Sequence, residues 1–300
     1  LTDENGDTLV LRGMSFGWSN WWPQFWNADV VSKLVNDWNC TVIRAAMGVE
    51  HEDGYLERPE YSDSLVRNVV DACLQEGVYV IIDWHDHSAV EHVQEAKAFF
   101  TDMAKTYGQY PNIIYEIYNE PDDESWEAVK AYSDTLIRTI REHDPLNIIL
   151  VGSPHWDQDV HIAADDPLDG YSNIMYTLHF YAKTHKQWLR ERGDYALQKG
   201  LPLFVSEYGG SEASGDGGLD LESWRLWIEW MEDNQISWVK WSIADKQETC
   251  SALLPGADAR GNWTETDLDT SGLLSKKLIR NLNGGSKEDW RDILTKPAEK

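Results

Sequence analysis

Residues 113–121 read IIYEIYNEP. The stretch opens as a run of Ile and Tyr, the residue types that favour a buried strand, and it closes on Asn119, Glu120 and Pro121. Pro121 has no N–H to give to a central sheet, so the strand must stop there. Two readings are open. The polar ending is an ordinary turn, or the strand delivers a carboxylate to a working site. The choice depends on whether the same ending recurs along the chain.

It does recur. Apolar runs at Leu9–Phe16, Thr41–Ala46, Tyr79–Asp83, Ile113–Tyr118, Ile148–Val151, Ile174–His179, Leu203–Ser206 and Ser237–Trp241 read as eight strands. Helical periodicity fills most of the gaps, at Ala28–Asp37, Ser64–Gln75, Val90–Thr106, Glu127–Glu142, Lys186–Gln198, Leu221–Asp233 and Leu274–Arg280. The connection after the fifth strand carries the weakest helical pattern. Gly77, Gly108, Pro111, Gly200 and Pro202 punctuate the passages from helix to strand. Strand and helix alternating in this way predict an α/β protein, a single (β/α)8 TIM barrel. A short N-terminal hairpin around Asn5-Gly6 is expected to precede it. A doubly wound open sheet would require a glycine-rich phosphate loop after the first strand, and Met14–Trp18 offers none. Residues 1–300 read as one catalytic unit, with no linker, internal repeat or carbohydrate-binding module within them.

The composition narrows the partners. Lys plus Arg number 26 against 52 Asp plus Glu, a formal net charge of -26. Such a surface repels phosphate backbones and anionic lipid, so neither nucleic acid nor membrane is an expected partner. No apolar run approaches the roughly 18 residues of a membrane span. The 16 Trp and 13 Tyr exceed what a core requires, and flat rings at a surface suit the C–H face of a sugar. Cys40, Cys73 and Cys250 fit no metal spacing, allow at most one disulfide and are expected as buried thiols. The opening LTDENGDTL lacks signal-peptide features; a secreted protein is expected, with its export signal outside this sequence.

In an α/β barrel the functional groups gather at the C-terminal ends of the strands. Here those ends present Trp18, Asn20 and Trp21; Arg44; His85 and His87; Asn119 and Glu120; Gly152 to Trp156, a weaker set; His179 and Tyr181; Glu207; and Trp241 with Asp245, Lys246 and Glu248 beyond it. One polar strand end means little, but nearly all of them converging on one rim is a site. Glu120 and Glu207 stand directly on strand ends. Two carboxylates across a cleft, one protonated and one ionised, are what cleavage of a glycosidic bond requires. Arg44 is placed to keep Glu207 charged and Tyr181 to donate to it. A separation of roughly 5–5.5 Å would mean retention of configuration.

Seven segments, LRGMSFGWSNWW (11–22), VIRAAMG (42–48), VIIDWHDH (80–87), IIYEIYNEP (113–121), MYTLHFYAKTH (175–185), LFVSEYG (203–209) and WSIADKQE (241–248), resemble the glycoside hydrolase family 5 endoglucanases, bacterial cellulase subfamily 2, in order and spacing. The resemblance covers nearly the whole chain. It implies the barrel fold, with Glu120 as acid/base and Glu207 as nucleophile. It implies that Asn119 holds the hydroxyl beside the reacting carbon, that Arg44 and Tyr181 position Glu207, and that His179 bonds near Glu120. His85 would bind a hydroxyl of the same sugar, Trp241 and Trp18 would stack on sugars, and Lys246 and Glu248 would hold a more distant unit. It also implies a cis Trp241-Ser242 peptide and a β-1,4-linked glucan as partner; separately, no cofactor or metal is expected, and a monomer is expected. The Trp-rich GWSNWWPQFWN (17–27) and the acidic, glycine-rich stretch from Glu212 to Asp220 depart from the pattern, the latter without an assigned task.

The residues leave other readings open. A mannanase or mixed-linkage glucanase on the same scaffold, and a non-catalytic carbohydrate-binding barrel, are the alternatives. The His-x-His of DWHDH (83–87) suggests a metal, but no further ligands complete a zinc set. Glu116 inside the barrel is expected to pair with Arg12. Asn119 and Glu120 are adjacent and cannot both face inward from a regular strand, so an irregularity is expected at Tyr118–Glu120. The acidic surface predicts salt tolerance. The protein should keep its solubility and activity in ~1 M NaCl, where screening shortens the Debye length to about 3 Å. Loss of activity in moderate NaCl would contradict this.

Overall fold

Eight parallel strands hydrogen-bond in strict chain order and close on themselves, the last against the first. They are β1 (Arg12–Phe16), β2 (Val42–Gly48), β3 (Tyr79–His85), β4 (Ile113–Glu116), β5 (Ile148–Val151), β6 (Ile174–Tyr181), β7 (Leu203–Gly209) and β8 (Trp238–Ile243). Each is followed by a helix: α1 (Ala28–Asn36), α2 (Pro59–Glu76), α3 (Val93–Tyr107), α4 (Trp126–Arg141), the short α5 (Val160–Asp165), α6 (Gln187–Gln198), α7 (Leu221–Asp233) and α8 (Thr270–Gly284). This computed structural model describes residues 1–3, 5–284 and 289–295. Glu4 lies outside the described residues, and the expected hairpin around Asn5-Gly6 is seen as one antiparallel bridge, Thr2 to Thr8.

Local sequence accounts for the helix limits. Asn27, Ser125 and Asp220 cap α1, α4 and α7 by accepting from backbone N–H groups of the first turn. Pro59 opens α2, where a missing N–H costs nothing, and Gly77 ends it in the left-handed region at φ 74°. The fifth connection, the weakest helical pattern in the sequence, holds a four-residue helical turn, Pro154–Asp157, and the six residues of α5.

The apolar core has two compartments. The larger lies between the outer faces of the strands and the helices. The smaller fills the bottom of the barrel with one residue per strand: Leu11 just ahead of β1, then Val42, Ile81, Ile114, Leu150, Met175, Phe204 and Val239. Burying such a side chain stabilises by roughly 1.5–3 kcal/mol, so this plug fixes the floor on which everything above it stands.

One layer up, the interior turns ionic. Arg44, Asp83 and Glu116 are two residues beyond Val42, Ile81 and Ile114, on the same faces, and all three are fully buried. Arg44 Nε donates to Glu116 Oε2 at 2.7 Å, and its Nη2 lies 2.9 Å from Asp83 Oδ2. The expected Arg12–Glu116 pair is therefore wrong. Arg12 begins β1 at the opposite end of the barrel, where it bonds Glu232 of α7. The chain register, not strand proximity, decides the partner: Glu116 is level with Asp83, which is level with Ala46, so Arg44 is one rung below and within reach.

Burial alone would raise the Glu116 carboxyl, but Arg44 and His179 hold it down at about 2, against an ordinary 4.5. In the unfolded chain the same group protonates near its ordinary value. Its contribution to stability is therefore complete above about pH 4.5 and is lost as the pH falls towards 2. Glu116→Gln should destabilise the protein at pH 7 by about 3–5 kcal/mol, the cost of leaving a buried charge short of its partner. In denaturant titrations the gap between the two proteins should narrow as the pH falls below 4.5. A gap independent of pH would contradict the ionised state of Glu116.

Candidate active site

Above the ionic layer, two backbone irregularities bring the two carboxylates inward. The first is the expected break near Tyr118–Glu120. β4 stops pairing regularly after Glu116, and Glu120 enters the left-handed region at φ 51°. Its N–H is held by Asp157 Oδ2 at 3.1 Å. Asn119 and Glu120 can then both face the cleft. The second was not anticipated. Thr177 to His179 on β6 spans two residues while Phe204 to Glu207 on β7 spans three, a bulge of one residue. As a result neighbours Ser206 and Glu207 both point inward. Ser206 Oγ donates to Glu116 Oε1 at 2.7 Å, and Glu207 reaches Arg44.

Glu207 is held at both oxygens. Arg44 Nη1 donates to Oε2 at 2.8 Å and the Tyr181 hydroxyl to Oε1 at 2.7 Å. A Cβ on Gly209 would lie 2.5 Å from the Tyr181 ring, so glycine there is what lets the phenol sit in place. Burial and the nearby Glu120 push the Glu207 carboxyl up, against the pull of Arg44, His179 and Tyr181.

Glu120 is set differently. His179 Nδ1 lies 3.0 Å from its Oε1 and His87 Nε2 3.5 Å from its Oε2. Burial raises this carboxyl, but the two imidazoles outweigh it and bring it to about 2. His179 itself is raised well above 6.5. Burial opposes its charge, and Asp157, Glu116, Glu120 and Glu207 together prevail. A protonated His179 fits the hydrogen bonds: Nδ1–H to Glu120, Nε2–H to Ser206 Oγ at 2.9 Å, and Ser206 on to Glu116. In the free protein the proton beside Glu120 thus rests on histidine.

The remaining expected residues lie at strand ends or on the segments that follow them. Asn119 Oδ1 accepts from Arg44 at 2.7 Å, while among the described residues its buried Nδ2 has no hydrogen-bond partner. His85 contacts Asp83 at 2.7 Å; burial and the charge of Arg44 keep its ring neutral. It stacks on Trp241 at 5.2 Å with planes 5° apart, and the Trp241-Ser242 peptide is cis, as the resemblance implied. Lys246 and Glu248 form an ion pair on the loop after β8. Trp18 packs edge-on to His85 and is only 6% exposed, whereas Trp21, stacked on it at 4.7 Å, is 48% exposed and presents the open ring.

Sequence reading missed His87 as a partner of Glu120, although it was visible in DWHDH. It also missed Asp157, whose carboxyl burial raises to about 7, and Ser206, hidden by the bulge. The acidic stretch after β7 now has a mechanical task. Asp216 accepts from Thr249, Gly215 from the N–H of Cys250, and Asp220 from Lys186, so it ties together the loops after β6 and β8. All three cysteines are free and buried, as expected.

The ligand atoms of Glu120, His179 and Glu207 lie within 4.8 Å of one another, so the two carboxylates converge on one point of the rim. The chain is 45% identical over 281 residues to Endoglucanase A of Evansella cellulosilytica, covering 92% of this chain and 57% of that protein's length. A solved structure from Cytophaga hutchinsonii superposes with a TM-score of 0.92 at 50% identity, covering 94% of this chain and 92% of that one. The catalytic domain of a Thermobifida fusca endoglucanase, solved in complex with cellotetraose, superposes with a TM-score of 0.88 at 30% identity, covering 93% and 94%. Residues 2–247 match the model of the cellulases, glycosyl hydrolase family 5, and the chain belongs to that family.

Proposed function

We propose that this chain is an endo-acting β-1,4-glucanase that hydrolyses internal bonds of cellulose and related glucans with retention of configuration. The observation that carries the reading is the approach of Glu120 and Glu207 to within 4.8 Å, the short spacing of a double displacement rather than the wider gap that admits a water. The cellotetraose held by the Thermobifida fusca relative supports a glucan as substrate. We also read residues 1–300 as one catalytic unit, acting as a monomer outside the cell. Among the described residues no helix is long and apolar enough to cross a membrane.

In the first step, the ionised Glu207 attacks the anomeric carbon while Glu120 protonates the departing glycosidic oxygen. The glycosidic bond breaks, an ester to Glu207 forms, and the shortened glucan leaves. In the second, Glu120 takes a proton from water, the water oxygen attacks the same carbon, and the ester bond returns its electron pair to Glu207. Arg44 and Tyr181 stabilise the charge of Glu207 before and after the ester. The free Nδ2 of Asn119 is a donor for the hydroxyl next to the reacting carbon.

Glu120 must hold a proton in the first step, and His179 supplies it across their 3.0 Å contact. A sugar filling the cleft removes water and strengthens the burial that already raises this carboxyl. Esterification of Glu207 then removes a neighbouring negative charge, lowers Glu120 again and suits it to act as a base.

Three measurements test the assignment. Proton NMR of fresh hydrolysate should show the β-anomer first; the α-anomer would rule out retention. Glu207→Gln should lose several orders of magnitude in kcat on carboxymethyl cellulose and on activated aryl cellobiosides alike. Glu120→Ala should lose roughly 10²–10⁴-fold on glucans but keep rapid ester formation with a dinitrophenyl cellobioside, which needs no acid, and should turn over faster with azide. Equal loss on both substrates would remove the acid/base role. Activity on mannan instead of glucan would keep the mechanism and change the substrate, and no activity on any glycan would restore the binding-protein reading.

A further inference from the structure

A cavity of about 570 Å³ opens beside the carboxylate pair, lined by Glu120, His179, Tyr181, Trp156, His185 and Trp188 among others. Trp241, Lys246 and Glu248 do not line it. It therefore lies on the Glu120 side, and Glu120 is the group that faces the departing oxygen. Under the reading just proposed, this cavity receives the part of the glucan that leaves first.

Trp188, the second residue of α6, is 40% exposed in this cavity. A single exposed tryptophan is unremarkable by itself. This one is braced. The Arg192 guanidinium, one turn along α6, sits over the ring 4.9 Å from its centroid. Arg192 is in turn anchored by Asp159 Oδ1 and the Gln158 carbonyl, both between β5 and α5. The His185 ring meets Trp188 edge-on at 5.8 Å. A cation over one face and an imidazole at the edge fix the indole before any ligand arrives, so little ordering cost remains on binding. A fixed flat ring suits the C–H face of a pyranose. Trp156, which lines the same cavity, is tied by its backbone N–H to the carbonyl of Pro121, next to Glu120, and so marks the near end.

We infer that Trp188 is a substrate-binding residue for the leaving end of the glucan. It stacks a glucosyl unit beyond the one directly attached to the scissile oxygen, and so sets how many units the protein keeps on that side. The inference rests on the glucanase reading and adds to it a determinant of where along a chain the cut falls.

Trp188→Ala and Trp188→Phe should be compared with the wild type on cellopentaose and on an aryl β-cellobioside, whose leaving group is a single ring. Cellopentaose labelled with ¹⁸O at its reducing end and analysed by mass spectrometry reports which bond is cut. For Trp188→Ala, kcat/KM on cellopentaose should fall about tenfold, the loss of one good stacking contact, mostly through KM. The cut should shift towards the reducing end. The aryl cellobioside should be hydrolysed within about twofold of the wild type, and Trp188→Phe should restore most of the pattern. An unchanged cleavage pattern, or an equal fall on both substrates, would overturn the inference. If the wild type cuts no glucan, the functional reading itself fails; if it does and the alanine variant matches it, only the role of Trp188 fails.

Discussion

One buried guanidinium holds the upper half of this barrel in register. Arg44 is fully buried and reaches Asp83, Glu116, Asn119 and Glu207, residues carried by β3, by β4 and the segment that follows it, and by β7. Taking a cation out of water costs several kcal/mol, and only close, multiple and oriented acceptors offset it. The planar fork of an arginine can satisfy such a set; a lysine, with a point charge, could not. Each strand that contributes an acceptor is thereby fixed against the others. The position of Glu207 is thus set by the same interaction that makes the ionic layer tolerable.

That layer also explains the unequal settings of the two carboxylates. Glu207 answers to Arg44 and Tyr181 and, among the described residues, has no imidazole hydrogen-bonded to it; Glu120 answers to His179 and His87. One is held by groups that never give up a proton near neutrality, the other by groups that can. The difference between the two carboxylates lies in the chemistry of their partners rather than in the carboxylates themselves.

The barrel was legible because an apolar run followed by a helical pattern recurs along the chain, nearly always with a polar group at the strand end, and local sequence carries that signal. The strand ends were read too short at His85, Tyr181 and Gly209. There the polar residues of the rim are still paired in the sheet, and polarity alone looks like a turn. Both glutamates, Arg44, Asn119, His179 and Tyr181 were found because strand-end position is a sequence property. The pairing of Glu116 was not, since it depends on how strands are staggered, and stagger leaves no local trace. His87 and Asp157 were missed for the same reason: one follows β3 and the other β5, and only closure of the barrel brings them to Glu120 and His179.

The extra residue in β7 has a consequence for anyone who would move this chemistry elsewhere. A regular strand offers one inward side chain for every two residues, but here the dipeptide Ser206-Glu207 faces inward twice, once towards the proton-carrying histidine and once towards the arginine. Grafting these side chains onto an idealised barrel would reproduce one of those contacts and turn the other residue into the helix layer. The transferable unit is therefore a backbone offset together with its two side chains, and a library that varies only amino-acid identity on a fixed scaffold could never sample it.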